Sequence, residues 1–336
     1  MIVKRRAYAR AGFVGNPSDG YNGKTIAFTI GDFFAEVTLY ESPELELRPS
    51  PQDNAVFQSL SELLENVLRT GYYGGVRLLK AATRKFVEYC DQQGIRLPDR
   101  NFTMRYSTNI PRQVGLGGSS AIITAAMRSL VDFFEVVIPD HILPNVVLAA
   151  ETEELGLTAG LQDRVVQAYG GVVYMDFDRG HMDAHGYGRY ESLPRESLPP
   201  VYVAYRRDLG KESTTAHIRV RELYDMGNEK VVSTLAEIAA LTDVARELME
   251  SRDFEALAQV VNRNFDLRTR IYPIRAEDMA MVNAARSTGA ACKFCGSGGA
   301  VVGTFDGRDM LDRLRSVMEQ GGYEFIVPQV APNCTT

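Results

Sequence analysis

Three glycines and two serines lie within residues 111–121, PRQVGLGGSSA, directly before the apolar run AIITAAMRSLVDFF. Glycine allows positive φ angles and close backbone approach, so such a loop can direct several backbone N–H groups at one phosphate. A helix that begins there adds the partial positive charge of its N-terminus. Ser119 and Ser120 supply hydroxyls that can reach a phosphate oxygen or a magnesium ion. The segment predicts a phosphate-binding loop, with a glycine-rich turn that binds nothing as the structural alternative.

The loop departs from the two best-known phosphate-binding templates. It contains no GxxxxGK[ST] pattern, and the spacing of Gly115, Gly117 and Gly118 is not the GxGxxG of a dinucleotide fold. A phosphate loop of another type is therefore indicated.

Cysteine and histidine patterns favour neither a disulfide framework nor a metal centre. Four cysteines are few for 336 residues, which favours reduced thiols. Cys292 and Cys295 form a CxxC pair, but no second pair or histidine pair is nearby, so CKFCGSGGAVVG is interpreted as another glycine-rich turn. His181 and His185 have HxxxH spacing in a segment rich in glycine and aspartate, which predicts a hairpin with solvated imidazoles.

Length and composition indicate a globular protein of two lobes. A chain of 336 residues exceeds what a single core commonly supports. Its net charge of −6 argues against a nucleic-acid partner. No apolar stretch approaches the roughly 20 residues of a membrane span, and the N-terminal segment is too quickly polar for a signal peptide, so we expect a cytoplasmic location.

Hydrophobic periodicity predicts the elements that position the loop. Residues 9–42 predict a strand, a loop and two further strands, and residues 53–90 predict two helices broken near Gly74 and Gly75. A strand precedes the phosphate loop, and a helix runs from the loop to about Phe134. Later helices are predicted over residues 212–227, 229–250, 253–261, 276–287 and 307–320. The pattern predicts an α+β class, with one lobe closing near residue 190.

Three separated segments resemble the GHMP kinases, a family named for galactokinase, homoserine kinase, mevalonate kinase and phosphomevalonate kinase. ARAGFVGNPSDGYNG resembles the first motif of the family, PRQVGLGGSSA its phosphate loop, and KFCGSGGAVVG its third motif. The resemblance covers essentially the whole chain and implies the GHMP kinase fold, with the active site between two lobes. Residues 1–190 would form the N-terminal, ribosomal-protein-S5-like α/β lobe that binds ATP. Residues 191–336 would form a C-terminal, ferredoxin-like α+β lobe.

Within this family, GNPSDGY and GLQDRVVQAYGGVVYMDF look most like the plant-type glucuronokinases, a group that phosphorylates D-glucuronate at C1. Asn16 and Pro17 stand where galactokinases carry Glu-His. That departure argues against galactose as the substrate.

The resemblance also implies how ATP and magnesium would be held. The backbone amides that would bind the phosphates belong to Gly115, Leu116, Gly117, Gly118, Ser119 and Ser120. The Ser120 hydroxyl and the Glu151 carboxylate would complete a Mg²⁺ site with ATP oxygens and water, a mixed ligation that suits this cation. Glu151 precedes Asp163 by twelve residues, as in the corresponding sugar-kinase segment. Without that spacing, a solvated helix carboxylate would be the better interpretation of Glu151.

Asp163 is the implied catalytic base. An aspartate is ionised at neutral pH, so it can accept a hydrogen bond from a sugar hydroxyl and take its proton. Arg10 aligns with the basic residue of the first motif and would lie between Asp163 and the γ-phosphate. The structural alternatives are a helix N-cap for Asp163 and a surface arginine for Arg10.

The substrate residues implied by the resemblance are Asp19, Tyr21 and Gln162. Because glucuronate carries a carboxylate, a bidentate arginine should face it. The candidates are Arg112, Arg164 and Arg206, among which the sequence does not choose. Lys211 and Ser213 are further candidates for this pocket.

The resemblance thus implies an ATP- and Mg²⁺-dependent sugar 1-kinase for D-glucuronate, either monomer or homodimer. The alternatives are a kinase for another sugar, such as a heptose, and a sugar or nucleotide sensor without activity. A dinucleotide oxidoreductase is disfavoured, because the glycines follow no early βαβ unit with a matching acidic residue.

Overall fold

A computed structural model describes residues 1–50, 53, 59, 74–206 and 214–334, with only the backbone described at 214–217. These residues contain ten strands and ten α-helices. The strands are β1 (Ile2–Val14), β2 (Lys24–Glu41), β3 (Glu46–Arg48), β4 (Phe102–Thr108), β5 (Val172–Asp176), β6 (Arg189–Leu193), β7 (Val201–Arg206), β8 (Lys293–Phe294), β9 (Ala300–Thr304) and β10 (Tyr323–Ile326). The helices are α1 (Gly75–Gln92), α2 (Gly118–Phe134), α3 (Leu143–Thr152), α4 (Leu161–Tyr169), α5 (Arg179–His185), α6 (Thr214–Asp225), α7 (Glu229–Ser251), α8 (Phe254–Thr269), α9 (Ala276–Arg286) and α10 (Gly307–Gln320).

The strands form two sheets. Six strands make the first, in the order β3-β4-β2-β5-β6 with β1 paired to β2. Four antiparallel strands make the second, in the order β10-β7-β9-β8. This confirms the α+β class that the sequence predicts.

Helix α2 is buried along most of its length because alanine, isoleucine and methionine occupy nearly all of its faces. It packs on β1 and β2, while α1 and α3 pack against it. Helix α8 contacts β1 of the first sheet as well as β8 and β9 of the second. The largest hydrophobic core includes residues of both sheets, so α8 belongs to a continuous interior rather than to one lobe. Among the described helices, none is long and apolar enough to cross a membrane.

Two predictions for the N-terminal half were wrong. The second and third predicted strands are one strand, β2, because residues 31–33 bulge out at a register shift between Tyr8 and Ala9 and the pairing with β1 continues on both sides. The predicted hairpin around His181 and His185 is the helix α5, because the Asp178 side chain accepts a hydrogen bond from the His181 N–H and caps a helix there. Of the two helices predicted over residues 53–90, the second is α1, and most of the first lies outside the described residues.

The second half differs from prediction mainly in α8. The predicted helix over residues 253–261 continues to Thr269, eight residues further. The predicted lobe boundary at residue 190 lies within β6, and the chain returns near its C-terminus to bridge Ile30 with Val330. The division into lobes at residues 190 and 191 stays a prediction.

Candidate active site

A cavity of about 820 Å³ lies where the two sheets meet. It extends from Tyr106 and Thr108 at the end of β4 to Tyr272 after α8. Its walls come from β1, the turn after it, the 111–120 loop, residues 156–164 and the C-terminal segments around Arg268 and Gly296. Segments far apart in sequence therefore form one site.

The predicted phosphate loop forms one wall of the cavity. Gly115 and Gly117 have φ angles of +74° and +75°, a region that L side chains rarely adopt. Helix α2 begins directly after this turn, so its first N–H groups face the cavity. The Ser120 hydroxyl donates to the Gly117 carbonyl over 3.0 Å, while the Leu116 side chain is buried in the core. The loop and the helix N-terminus thus present backbone donors toward one space.

Asp163 and Arg10 form a bidentate ion pair beside this loop. Arg10 Nε lies 2.6 Å from Asp163 Oδ1, and Arg10 Nη2 lies 2.7 Å from Oδ2. Arg10 Nη1 donates to the Gly115 carbonyl over 2.5 Å, which ties the ion pair to the loop. Burial raises the pKa of Asp163, but the guanidinium groups of Arg10 and Arg164 outweigh it and hold that pKa below its ordinary value. The carboxylate is therefore ionised at neutral pH.

A second ion pair lies next to the first. Arg164 donates through both Nε and Nη2 to the single oxygen Oε2 of Glu151, and through Nη1 to the Gly160 carbonyl. Burial raises the pKa of Glu151, against the opposing effect of Arg164. Glu151 and Ser120 both line the cavity. The two residues predicted to hold a cation thus face the same space.

The three residues predicted to bind the sugar line the same cavity. Asp19 lies in a 3-10 turn, and burial together with the nearby Asp163 carboxylate raises its pKa to about 6. The Tyr21 hydroxyl lies 3.0 Å from the hydroxyl of Tyr272. Gln162 lines the cavity but is 3% exposed, and its Oε1 accepts a 3.4 Å hydrogen bond from Thr25. These three assignments stay predictions.

The three arginines suggested for a uronate carboxylate have different surroundings. Arg112 lines the cavity on the phosphate loop. Arg164 is already paired with Glu151, and Arg206 lies 3.7 Å from Asp278 and does not line the cavity. Lys211 and Ser213 lie outside the described residues.

Two cations near the site were assigned no role by the sequence analysis. Lys293 is buried, and its Nζ donates to Asn16 Oδ1 and to the carbonyls of Gly12 and Phe294, which fixes the first motif to the third. Arg268 lines the cavity near Tyr272. Lys293 stands beside the third glycine motif, which marks its place in the sequence but not its role, whereas nothing in the local sequence distinguishes Arg268 from a surface helix arginine.

Comparison with known proteins bears on the family of this chain and on its fold. Residues 77–171 match the GHMP kinases N terminal domain. Glucuronokinase 1 of Arabidopsis thaliana is 43% identical over 99% of this chain and 93% of its own length. Probable glucuronokinase 2 of the same plant is 47% identical over 90% of this chain and 84% of its own length. The crystal structure of Lactococcus lactis galactokinase with galactose aligns with a TM-score of 0.78 at 15% identity, covering 99% of this chain and 95% of that one.

The fold and the site together define a small-molecule phosphotransferase, in which a glycine loop at a helix N-terminus faces a carboxylate–guanidinium pair. The chain belongs to the GHMP kinase family.

Proposed function

We propose that this protein transfers the γ-phosphoryl group of ATP to the C1 hydroxyl of D-glucuronate, forming D-glucuronate 1-phosphate and ADP. One observation carries the proposal, namely that the Arg10–Asp163 pair is joined through Gly115 to the phosphate loop. The group that would receive a proton and the groups that would hold a phosphate are therefore neighbours. Identity of 43–47% with the two glucuronokinases supports the choice of sugar.

Phosphoryl transfer requires positioning and charge stabilisation more than covalent chemistry. The N–H groups at the start of α2 would hold the phosphates, aided by the partial positive charge of the helix N-terminus. Arg10 would place a positive charge between the acceptor oxygen and the transferred group. Its bond to the Gly115 carbonyl keeps its guanidinium at the loop before any ligand binds.

Asp163 would orient and deprotonate the acceptor hydroxyl. Both of its oxygens accept from Arg10, so its position is fixed, and its lowered pKa keeps it ionised. An aspartate with such a low pKa is a weak base, so proton transfer is expected late, as the sugar oxygen bonds to phosphorus. The anomeric hydroxyl is the most acidic hydroxyl of a sugar, which suits a weak base.

The donor set fits magnesium delivered with the nucleotide. Arg164 Nε and Nη2 both donate to Glu151 Oε2, so within the described residues Oε1 of this cavity-lining carboxylate accepts no hydrogen bond. Among the described residues there is no cluster of three histidine, cysteine or acidic ligands, so the ion would need phosphate oxygens to complete its shell. One carboxylate, one hydroxyl and phosphates form a typical Mg²⁺ environment. When bound there, the ion would neutralise charge on the phosphates, with Glu151 and Ser120 as its protein ligands.

ADP release over a panel of sugars tests the proposal. D-glucuronate, D-glucose, D-galactose and a D-heptose are compared with ATP and Mg²⁺, and ³¹P NMR identifies the phosphorylated carbon. We expect D-glucuronate to give the highest kcat/KM and an anomeric phosphate. Turnover of a neutral aldose without turnover of D-glucuronate would reject the substrate, and sugar binding without ADP release would indicate a sensor.

A further inference from the structure

Arg268 is a buried cation that forms no ion pair with any carboxylate of the described residues. It is 4% exposed, and its Nη1 and Nη2 donate to the carbonyls of Gly296 and Ser297, over 3.0 and 3.2 Å. Within the described part of the chain, its Nε has no hydrogen-bond partner. A buried charge without an ion-pair partner destabilises the folded state. The Asp19 carboxyl group acts on Arg268 from beyond ion-pair distance, so an anion bound directly beside Arg268 would add a stabilising interaction.

The other cations around the cavity differ from Arg268 in this respect, and Arg112 on the phosphate loop differs because it is exposed to water. Arg10 and Arg164 each form two hydrogen bonds to a carboxylate. Lys293 has three oxygen acceptors within its own reach and does not line the cavity. Arg221 lies at the mouth with its side chain 47% exposed, and its guanidinium stacks over Tyr21 at 4.3 Å. Water can solvate Arg221, so its charge needs no partner.

Arg268 also lies close enough to the Arg10–Asp163 pair to bind the carboxylate of a sugar whose C1 hydroxyl contacts Asp163. Arg10 pairs with Asp163, and Arg10 Nη2 lies 3.1 Å from where a Cβ of Gly296 would stand. The carbonyl of the same Gly296 accepts from Arg268, so a single residue separates the two guanidinium groups. In a pyranuronic acid, the C1 hydroxyl and the carboxylate are carried by the two carbons that flank the ring oxygen. The cation that binds the carboxylate must therefore lie about the width of one pyranose ring from Asp163.

We propose that Arg268 binds the carboxylate of the uronic acid and gives the site its preference for an acidic sugar over a neutral one. This inference rests on the proposed function and adds the residue that selects the substrate. Burial strengthens such a charge pair, because the surrounding medium screens it less than water does.

The test compares D-glucuronate with D-glucuronamide, which has the same ring without the charge. Wild-type protein is expected to favour the acid strongly in kcat/KM. Arg268→Gln should raise the KM for D-glucuronate by roughly 30-fold or more, leave the KM for ATP within about twofold, and bring the acid-to-amide ratio toward one. Arg268→Lys keeps the charge but loses the planar fork, so its ratio should lie between the two.

The matched control is Arg263→Gln on the same helix. Arg263 is 44% exposed and pairs with Glu237, so its loss should change neither KM nor the ratio. Urea unfolding shows whether each variant is folded, and Arg268→Lys serves if the glutamine variant is not.

Each outcome decides between the proposals. If wild-type protein does not turn over D-glucuronate, the proposed function fails. If it turns over the acid and the amide equally well, the proposed function stands and this inference is overturned. If it favours the acid, and Arg268→Gln slows the acid and the amide equally, then Arg268 only supports the Gly296 turn and this inference is again overturned. A larger loss of the ratio in Arg221→Gln than in Arg268→Gln would assign the carboxylate to Arg221 instead.

Discussion

Two parts of the cavity are built differently; we call them the phosphate end and the sugar end after their proposed ligands. At the phosphate end, the 111–120 loop and the start of α2, the wall is mainly backbone with glycines at positive φ, and the neighbouring charged side chains are paired as Arg10–Asp163 and Glu151–Arg164. At the sugar end, around Asp19, Tyr21, Arg268 and Tyr272, the wall is mainly side chains. Burial raises the pKa of the Asp19 carboxyl group, and among the described residues the Arg268 guanidinium has no ion-pair partner. The charged groups of the phosphate end therefore have partners in the protein, whereas Arg268 is proposed to gain one from the substrate.

This difference separates phosphate binding, which is common to many substrates, from the selection of one sugar acceptor. Backbone N–H groups recognise any phosphate, so the phosphate end can stay the same when the acceptor changes. Buried polar groups that lack partners destabilise the protein until the correct substrate supplies those partners. A substrate without the matching group leaves the polar groups unpaired. The sugar end should therefore determine both the selectivity and part of the instability of this protein.

The largest effect is expected where the two ends meet. Asp163→Asn removes the proton acceptor but keeps the shape of the side chain, so kcat should fall by roughly 100-fold or more, with ATP affinity changed only a few-fold. Steady-state kinetics and nucleotide titration measure the two quantities. Asp132→Asn, at a surface ion pair with Arg5, is the control and should behave as wild type. Unchanged kcat in Asp163→Asn would remove the carboxylate from the mechanism.

The phosphate end is tested by Gly115→Ala. A Cβ at this position would lie 2.8 Å from the Gly298 carbonyl oxygen, at a φ of +74°, so the loop must shift. We expect the KM for ATP to rise by about 10-fold, with a smaller change in the KM for the sugar. Gly94→Ala is the matched control, because Gly94 has a φ of +66° with open space around it and lies at the end of α1. An equal rise of the KM for ATP in the two variants would mean that backbone strain alone, and not the shape of the loop, weakens ATP binding.

Asp19→Asn tests the instability of the sugar end. Because the folded-state pKa of about 6 exceeds the ordinary value of 3.8, the contribution of Asp19 to stability is fully present below about pH 4 and is lost as the pH rises through 6. At pH 7 the asparagine variant should be more stable by on the order of 1–3 kcal/mol, measured by urea unfolding. Its kcat/KM for the sugar should fall by about 10-fold.

The pH profile sharpens the same comparison. With saturating MgATP, the wild-type kcat/KM for the sugar should decline as the pH falls through about 6, because Asp19 becomes protonated and accepts fewer hydrogen bonds. The asparagine variant should show no decline in that range. A decline shared by both proteins would assign the titration to another group.

The smallest effect is expected from Tyr21→Phe. The change removes one hydroxyl, which lies 3.0 Å from the Tyr272 hydroxyl, and leaves the ring under Arg221. We expect the free energy of unfolding to fall by about 1 kcal/mol and the KM for the sugar to rise two- to fivefold at unchanged kcat. A fall in kcat instead would indicate that the hydroxyl acts in the transition state.

Helix α8 shows where sequence reasoning stopped. Periodicity predicts its end at residue 261 because apolar positions become sparse after that point. The helix continues because polar residues of that stretch are buried: Asn264 accepts from the Gly15 N–H and donates to the Asn16 carbonyl, and Arg268 holds the third motif. Buried polar residues look like a solvated face in sequence, so this part of the site could not be predicted.

The phosphate loop and the α+β class were within reach of the sequence, because both depend on local rules: glycine at positive φ before an apolar helix, and hydrophobic period along the chain. Asp163 and Arg10 came from motif resemblance, which gives their types but not their geometry. Tertiary structure alone decided the pairing of charges. Which guanidinium meets a carboxylate, and which is left for a ligand, depends on segments up to 258 residues apart, from Arg10 to Arg268, brought into one low-dielectric cavity.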